Sequence, residues 1–351
     1  METIHPRKLS IAALRPGRAL KVERRLHKLA KKLGPGGKLP TVLELCRSHH
    51  VAIATMTRVL ESLESRGVID RRRGSGLYVS ARVHQQRVGL VFGCNVFGPQ
   101  VSPVYPMLLD YAQKRARLGN ERFSFFVDMP QDADGQPHPD LADDVRAGRL
   151  HGLLFTTRGT AAQQEWRRSV SIPYVSFLPT IREPWVVGVD YARLVELGVD
   201  ALARRGCRNI AYISVPTDRA AENVRDDLSA FERSTAQLGL RGTIWQNAQE
   251  VSRWLRREDV VERWDALGHQ AVRQLWQGEP RPDGLVIGDD IVARGALAEA
   301  EQTGLRIGQD LHVATHANAG SYALQRYEDR IIRLEFTPAE IVEALFNLLE
   351  A

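Results

Sequence analysis

Cysteine is scarce in this chain: there are three, Cys46, Cys94 and Cys207, far apart in the sequence. That spacing supports neither a disulfide framework nor a thiolate metal site, and reads as small buried hydrophobes in a reducing compartment. Long apolar runs are missing as well. None approaches the ~20 residues that cross a bilayer, and the opening METIHPRKLS lacks the apolar core of a secretory signal. A cytoplasmic protein with no membrane partner is the expectation. Lysine is the third shortage: after Lys38 the only one is Lys114. A Schiff base to pyridoxal phosphate would have to use that residue, which lies badly placed inside a helical period over 106–118. His49 and His50 have no further ligands at metal spacing. Asp289 and Asp290 are adjacent, so on a strand they would point to opposite faces, and capping a helix after LVIG is the better reading. No nucleophile–base pair and no metal set emerges, so no enzyme and no cofactor is expected.

What is present is charge, unevenly placed. The net charge is +6, yet residues 1–83 carry 18 Lys and Arg against 6 Asp and Glu, a net of +12 that leaves −6 for the remainder. A basic end on an acidic body points to a polyanionic partner for one domain alone. At 351 residues the chain also exceeds what one core holds, so two or three lobes are expected.

The basic end has a readable local grammar. Val22, Leu26, Leu29 and Leu33 recur at helical spacing, and GPGG at 34–37 stops that helix. Thr41 and Glu44 form a Thr-x-x-Glu capping box for a short second helix. Met56, Val59, Leu60 and Leu63 mark the buried stripe of a third, with Gly67 as its stop. After it, residues 68–70 and 77–79 read as two short strands around RRRGSG. The glycines there are not a nucleotide loop: no third glycine follows at the right offset, no helix begins, and no Gly-Lys-Ser/Thr is present. Three helices and a hairpin outline a winged helix-turn-helix, whose third helix fits a major groove and whose arginines reach phosphates.

Residues 36–80, GGKLPTVLELCRSHHVAIATMTRVLESLESRGVIDRRRGSGLYVS, resemble the DNA-binding domain of the GntR family of bacterial regulators, carried by Leu39-Pro40-Thr41, Thr55, Leu60, Leu63, Gly67, Gly74, Gly76 and Val79. The family opens its recognition helix with Ser-Arg-x-Thr after a valine. Here Val51 is followed by Ala52-Ile53-Ala54-Thr55, and Leu43 stands where the second helix usually has an arginine. The resemblance therefore implies DNA binding with an altered contact set. Its candidates are Thr41, Thr55, Thr57, Arg58, Arg72, Arg73, Gly74, Ser75 and Gly76.

Beyond a short polar linker, strand-like runs alternate with helical periods: VGLVFG, RFSFFVD, GLLFT, YVSFL, NIAYIS, GLVIG and LHVAT are the strands. Such alternation predicts an α/β body of parallel sheets covered by helices, with ligands at the carboxyl ends of strands. The segments GVDYARLVELGVDALARRGCRNIAYIS and RPDGLVIGDDIVARGALAEAEQTGLRIGQDLHVAT are similar to the ligand-binding domain of LacI-type repressors, which shares the two-lobed fold of periplasmic binding proteins. A GntR-type head on such a body is the arrangement of the arabinose-repressor (AraR) group. By this resemblance residues 1–80 are the winged head, 81–87 a linker and 88–351 the body. Its first lobe spans 88–180 and 326–351, and its second 181–325. The family's sugar-clamping arginine falls on Asp227, with Arg225 two residues away, and its binding aspartate falls on Ala317, with Asn318 beside it. Phe97, Tyr105, Trp185, Asp190 and Asp289 are further candidates for a ligand cleft. The implied function is a homodimeric, sequence-specific transcriptional regulator, a repressor by resemblance. It would bind a double-stranded DNA operator and sense a small-molecule effector, with a carbohydrate among the candidates. The alternative is a small-molecule binding protein whose basic head makes nonspecific or protein contacts.

Overall fold

A computed structural model describes residues 18–83, 86–92, 96–97, 101–118, 121–127, 139–156, 161–170, 172–177, 185–214, 226–247 and 260–350. Arg225, Cys94 and linker residues 84–85 lie outside the described residues. The chain divides into two compact units, residues 1–87 with 143–150, and 88–142 with 151–351.

The first unit is built on α1 (Arg18–Leu33), α2 (Val42–His49), α3 (Ile53–Ser65), β1 (Ile69–Arg72) and β2 (Gly76–Val79). The apolar stripes converge on one core, in which Val22, Leu26, Leu45, Met56, Leu60 and Leu63 pack with Leu77 and Val79. Each such aliphatic side chain contributes ~1.5–3 kcal/mol by leaving water. The capping box at α2 forms in both directions: the Thr41 hydroxyl accepts from the Glu44 amide at 3.3 Å, and the Thr41 amide donates to the Glu44 carboxylate at 2.8 Å. Helix α3 starts without one, since Ala52 has the cap backbone geometry and no side chain to bond with. Strands β1 and β2 pair antiparallel, Ile69 opposite Val79 and Arg72 opposite Gly76. Residues 36–39 bind the other edge of β2, with the Leu39 amide donating to the Leu77 carbonyl at 2.9 Å.

The second unit holds two five-stranded sheets. The first contains β3 (Gln86–Val91), β4 (Glu121–Phe126), β5 (Gly152–Phe155), β6 (Tyr174–Phe177) and β7 (Val186–Val187), in the order β4-β3-β5-β6-β7. The second contains β8 (Asn209–Ile213), β9 (Arg241–Trp245), β10 (Gly284–Ile287), β11 (His312–Asn318) and β12 (Ile332–Phe336), in the order β12-β11-β10-β8-β9. Strands β3, β5, β6 and β7 run parallel, as do all five of the second sheet. Each sheet is doubly wound and changes winding direction between its first and third strands, which places a crevice at the carboxyl ends of β3/β5 and of β8/β10. The further helices of the chain are α4 (Val104–Leu118), α5 (Pro139–Arg146), whose residues from 143 on belong to the first unit, α6 (Ala161–Ser169), α7 (Tyr191–Arg204), α8 (Asp227–Gln237), α9 (Val260–Leu275), α10 (Asp290–Gln302) and α11 (Pro338–Glu350). Among the described residues no helix is long and apolar enough to cross a membrane.

The lobe boundaries shift from those expected. Residues 332–336 pair with β11 in the second sheet, Ala314 opposite Ile332 and Asn318 opposite Phe336, so the return to the first lobe begins after residue 336 and not at 326. Only α11 returns. Its Leu345 and Phe346 join Val88, Leu90 and Leu108 in the core of the first lobe, and the Phe346 ring meets Phe123 edge-on at 5.1 Å. Likewise β7 belongs to the first sheet, pairing Ser176 with Val186, so that lobe extends past residue 180. In both places the pairing of an edge strand, rather than any break in composition, sets the boundary.

Helices α9 and α10 cross closely. A Cβ on Gly268 would lie 2.0 Å from the Val292 carbonyl oxygen, and one on Gly295 would lie 1.9 Å from that of Asp265. Only glycine at both positions permits this approach.

Candidate functional site

In the head, α3 presents Ala52, Ile53, Ala54 and Arg58 to solvent, with Thr55 and Thr57 half-buried beside them. Ile53 is 57% exposed and Leu43 likewise, so aliphatic side chains stand where the resemblance led one to look for arginine. Thr41 is exposed, but its hydroxyl is taken up by the capping box. The wing turns tightly: Gly74 has φ +71° and Gly76 +118°, and the Ser75 amide donates to the Arg72 carbonyl at 2.9 Å. Side chains with a Cβ rarely take either backbone conformation, which is why the tip is Gly-Ser-Gly.

The three wing arginines are not equivalent. Arg71 turns back to α3, 3.0 Å from the Glu64 carboxylate and 3.4 Å from the Thr57 carbonyl. The Arg72 guanidinium lies over the Tyr78 ring at 4.4 Å, which orients it, and the residue is exposed. Tyr78 is itself positioned by a 2.7 Å hydrogen bond between its hydroxyl and that of Ser75. Arg73, Gly74, Ser75 and Gly76 are exposed at the tip.

In the body, the candidates separate. Asp190 caps α7, its carboxylate accepting from the Arg193 amide at 2.9 Å. Asp227 is buried and accepts a 2.6 Å hydrogen bond from the Tyr212 hydroxyl, which makes it a core polar contact. Tyr105 packs edge-on to Phe92 at 6.4 Å. Phe97 is 76% exposed, and Trp185 is part-exposed.

Asp289 and Asn318 are brought together through Asp290. Asp289 caps α10, its Oδ1 accepting from the amides of Ile291 at 2.8 Å and Val292 at 3.1 Å. Asn318 donates its Nδ2 to Asp290 Oδ2 at 3.1 Å. The two aspartates stand at a strand-to-helix junction and not along a strand, so their carboxylates do not diverge: with His316 each offers a donor atom within 4.8 Å of the others. The expected capping role is met by Asp289, and the same turn of the chain keeps the two carboxylates near each other. Burial, and then the like charge of Asp290, push the Asp289 carboxyl well above the usual carboxylate range, while burial lowers His316. Asp290, Ala317, Asn318, Ser321, Glu328 and Arg333 line a small polar pocket at the carboxyl end of the second sheet. Arg333 is paired there with Glu328 at 3.0 Å. The sequence reading passed over His316, Ser321, Glu328 and Arg333. Its one pointer to them was the family position at Ala317 and Asn318.

Comparison with known proteins places these parts. Residues 13–79 match the model of bacterial regulatory proteins of the gntR family, and residues 199–350 match that of the periplasmic binding protein-like domain. The catabolite control protein A of Priestia megaterium is 20% identical over 294 residues, covering 78% of this chain and 81% of that protein. The HTH-type transcriptional repressor PurR of Klebsiella pneumoniae subsp. pneumoniae is 31% identical over 149 residues, 42% of this chain and 39% of the repressor. Among solved structures, a LacI family transcriptional regulator from Mycobacterium smegmatis superposes with a TM-score of 0.55 at 19% identity, covering 75% of this chain and 89% of that one. The first unit thus holds a segment that matches the gntR-family model, and the body holds one that matches the periplasmic binding protein-like domain and shares its fold with a solved LacI family transcriptional regulator.

Proposed function

We propose that the protein is a sequence-specific transcriptional regulator, acting as a dimeric repressor whose body senses a small polar molecule. The observation that carries this reading is the division of labour in the wing: Arg71 is held by Glu64, whereas Arg72, braced on Tyr78, and the exposed Arg73 are left for phosphates beside α3. Phosphate contacts supply affinity and position, and the exposed Ile53, Ala54 and Arg58 on α3 supply base readout, with Thr55 and Thr57 at their side. An isoleucine reads thymine methyl groups by apolar contact, so the lost arginine is replaced by a different kind of selectivity.

The effector reading rests on the match of residues 199–350 to the periplasmic binding protein-like domain, with Asp290, Asn318 and Ser321 as polar groups at or beyond the carboxyl ends of β10 and β11. An effector that favours one body conformation shifts head spacing through a coupling of ~1–3 kcal/mol, a several-fold to hundredfold change in operator occupancy.

Selection from a random duplex pool tests the proposal. A regulator enriches one motif, arranged as two half-sites if it is dimeric. Binding without any enriched motif would favour the alternative of a head with nonspecific contacts, to which the uncapped Ala52 lends its support.

A further inference from the structure

We propose that Asp289, Asp290 and His316 form a binding site for a divalent first-row transition-metal ion of the Mn²⁺ to Zn²⁺ range. Nothing in the local sequence joins these residues, but the parallel pairing of β10 with β11 does. Ile287 lies opposite Thr315, so His316 stands level with the start of the turn that carries Asp289 and Asp290. One donor atom from each lies within 4.8 Å of the others, a separation that small side-chain adjustments close around a common ion.

Asp290 and His316 are buried, Asp289 is half-buried, and the donors are held yet incompletely used. Asp290 is 1% exposed and His316 8%, and Asp290 Oδ1 and His316 Nδ1 have no hydrogen-bond partner among the described residues. Buried polar atoms without partners are uncommon and costly, and a cation would satisfy both. Each ligand is also oriented from behind. Asn318 holds Asp290 Oδ2, the α10 amides hold Asp289 Oδ1, and the Phe336 ring lies 5.0 Å from that of His316. Such outer contacts fix metal ligands in place.

Charge and chemistry agree. Once a bound cation has displaced the proton that burial favours on Asp289, two carboxylates with a neutral imidazole offer −2, matching a divalent ion. The neighbouring guanidiniums are engaged elsewhere: Arg294 with Asp265 at 2.7 Å, and Arg333 with Glu328 and Glu335 at 3.0 and 3.4 Å. An imidazole nitrogen in the set favours a transition ion over Mg²⁺ or Ca²⁺, which prefer oxygen alone. Three protein donors leave coordination positions for water or an anionic ligand entering by the pocket that Asp290 borders.

The test uses the full chain, stripped of metal with a chelator, and does not depend on DNA binding. Mn²⁺, Co²⁺ and Zn²⁺ are titrated with Mg²⁺ and Ca²⁺ alongside, following the melting temperature and the visible absorption of Co²⁺. The expected result is one ion bound per chain, a raised melting temperature, and Co²⁺ bands that show a nitrogen donor. Affinity should fall at least ~10-fold in His316→Gln and in Asp290→Asn, since even outer-shell partners are worth ~10–100-fold. Asp289→Asn keeps the helix cap and removes one anionic donor, so it decides the matter if a core variant fails to fold. Absence of binding in the parent chain, equal affinity in Asp289→Asn, or a response to Mg²⁺ and Ca²⁺ equal to that of the transition ions would each overturn the proposal. Stabilisation by organic amines alone would overturn it too.

Discussion

Replacing Arg72 and Arg73 together by alanine should change how DNA binding responds to salt. Each phosphate that a side chain neutralises adds ~0.9 to the slope of log affinity against log salt. Arg72 is aligned by the Tyr78 ring at 4.4 Å and Arg73 stands exposed at the tip, so the wing offers two such contacts. Their loss should flatten the slope by ~1.8. Between ~50 and ~200 mM salt, a fourfold range, that amounts to about a 12-fold smaller drop in affinity. Fluorescence anisotropy with a selected duplex, repeated across that range, measures it. Arg71→Ala is the internal control: its guanidinium is already matched by Glu64, so its slope should move by well under ~0.9. A double variant with the parental slope would refute the assignment and return RRRGSG to the status of a surface turn.

Substituting deoxyuridine for thymine within the selected motif should weaken binding about 4-fold per contacted methyl, from ~0.8 kcal/mol per buried carbon. Ile53→Ala should lose that discrimination while still binding, and undiminished discrimination in the variant would remove Ile53 from the interface. Ala52→Ser gives α3 the side-chain cap it lacks and should stabilise the head by ~0.5–1 kcal/mol, read from denaturant melts; no gain would mean that the α3 amides are already satisfied. Gly295→Ala gains ~1 kcal/mol of helix propensity but sets a Cβ 1.9 Å from the Asp265 carbonyl oxygen, so the body should lose ~3 kcal/mol or more in thermal unfolding. A stabilised variant would show that the helix crossing is looser than described.

Much of the fold can be read in the chain itself. The stripe of Met56, Val59, Leu60 and Leu63, the capping box of Thr41 and Glu44, and the paired glycines of the wing are all contacts within one helix turn or one hairpin. So are the continuous apolar runs of the central strands, which must be buried on both faces. The strands that sequence reading passed over, β7, β9 and β12, all lie at sheet edges. Covered on fewer sides, they need no such run: β9 is exposed at Arg241, Gly242 and Thr243. The lobe boundaries were misplaced for that same reason.

Other features depended on the tertiary fold. Three consecutive arginines look alike in sequence, and the position of Glu64 decides that Arg71 turns inward while Arg72 and Arg73 do not. Gly268 and Gly295 become a helix crossing only when α9 and α10 meet. Asp289 and Asp290 join His316, more than twenty residues away, because parallel strands align their carboxyl ends while the chain between them passes through a helix. Local periodicity determined the elements, the core faces and the two-part architecture. The chemistry of the pocket was set by pairing across that distance, for which a single sequence carries no periodic signal.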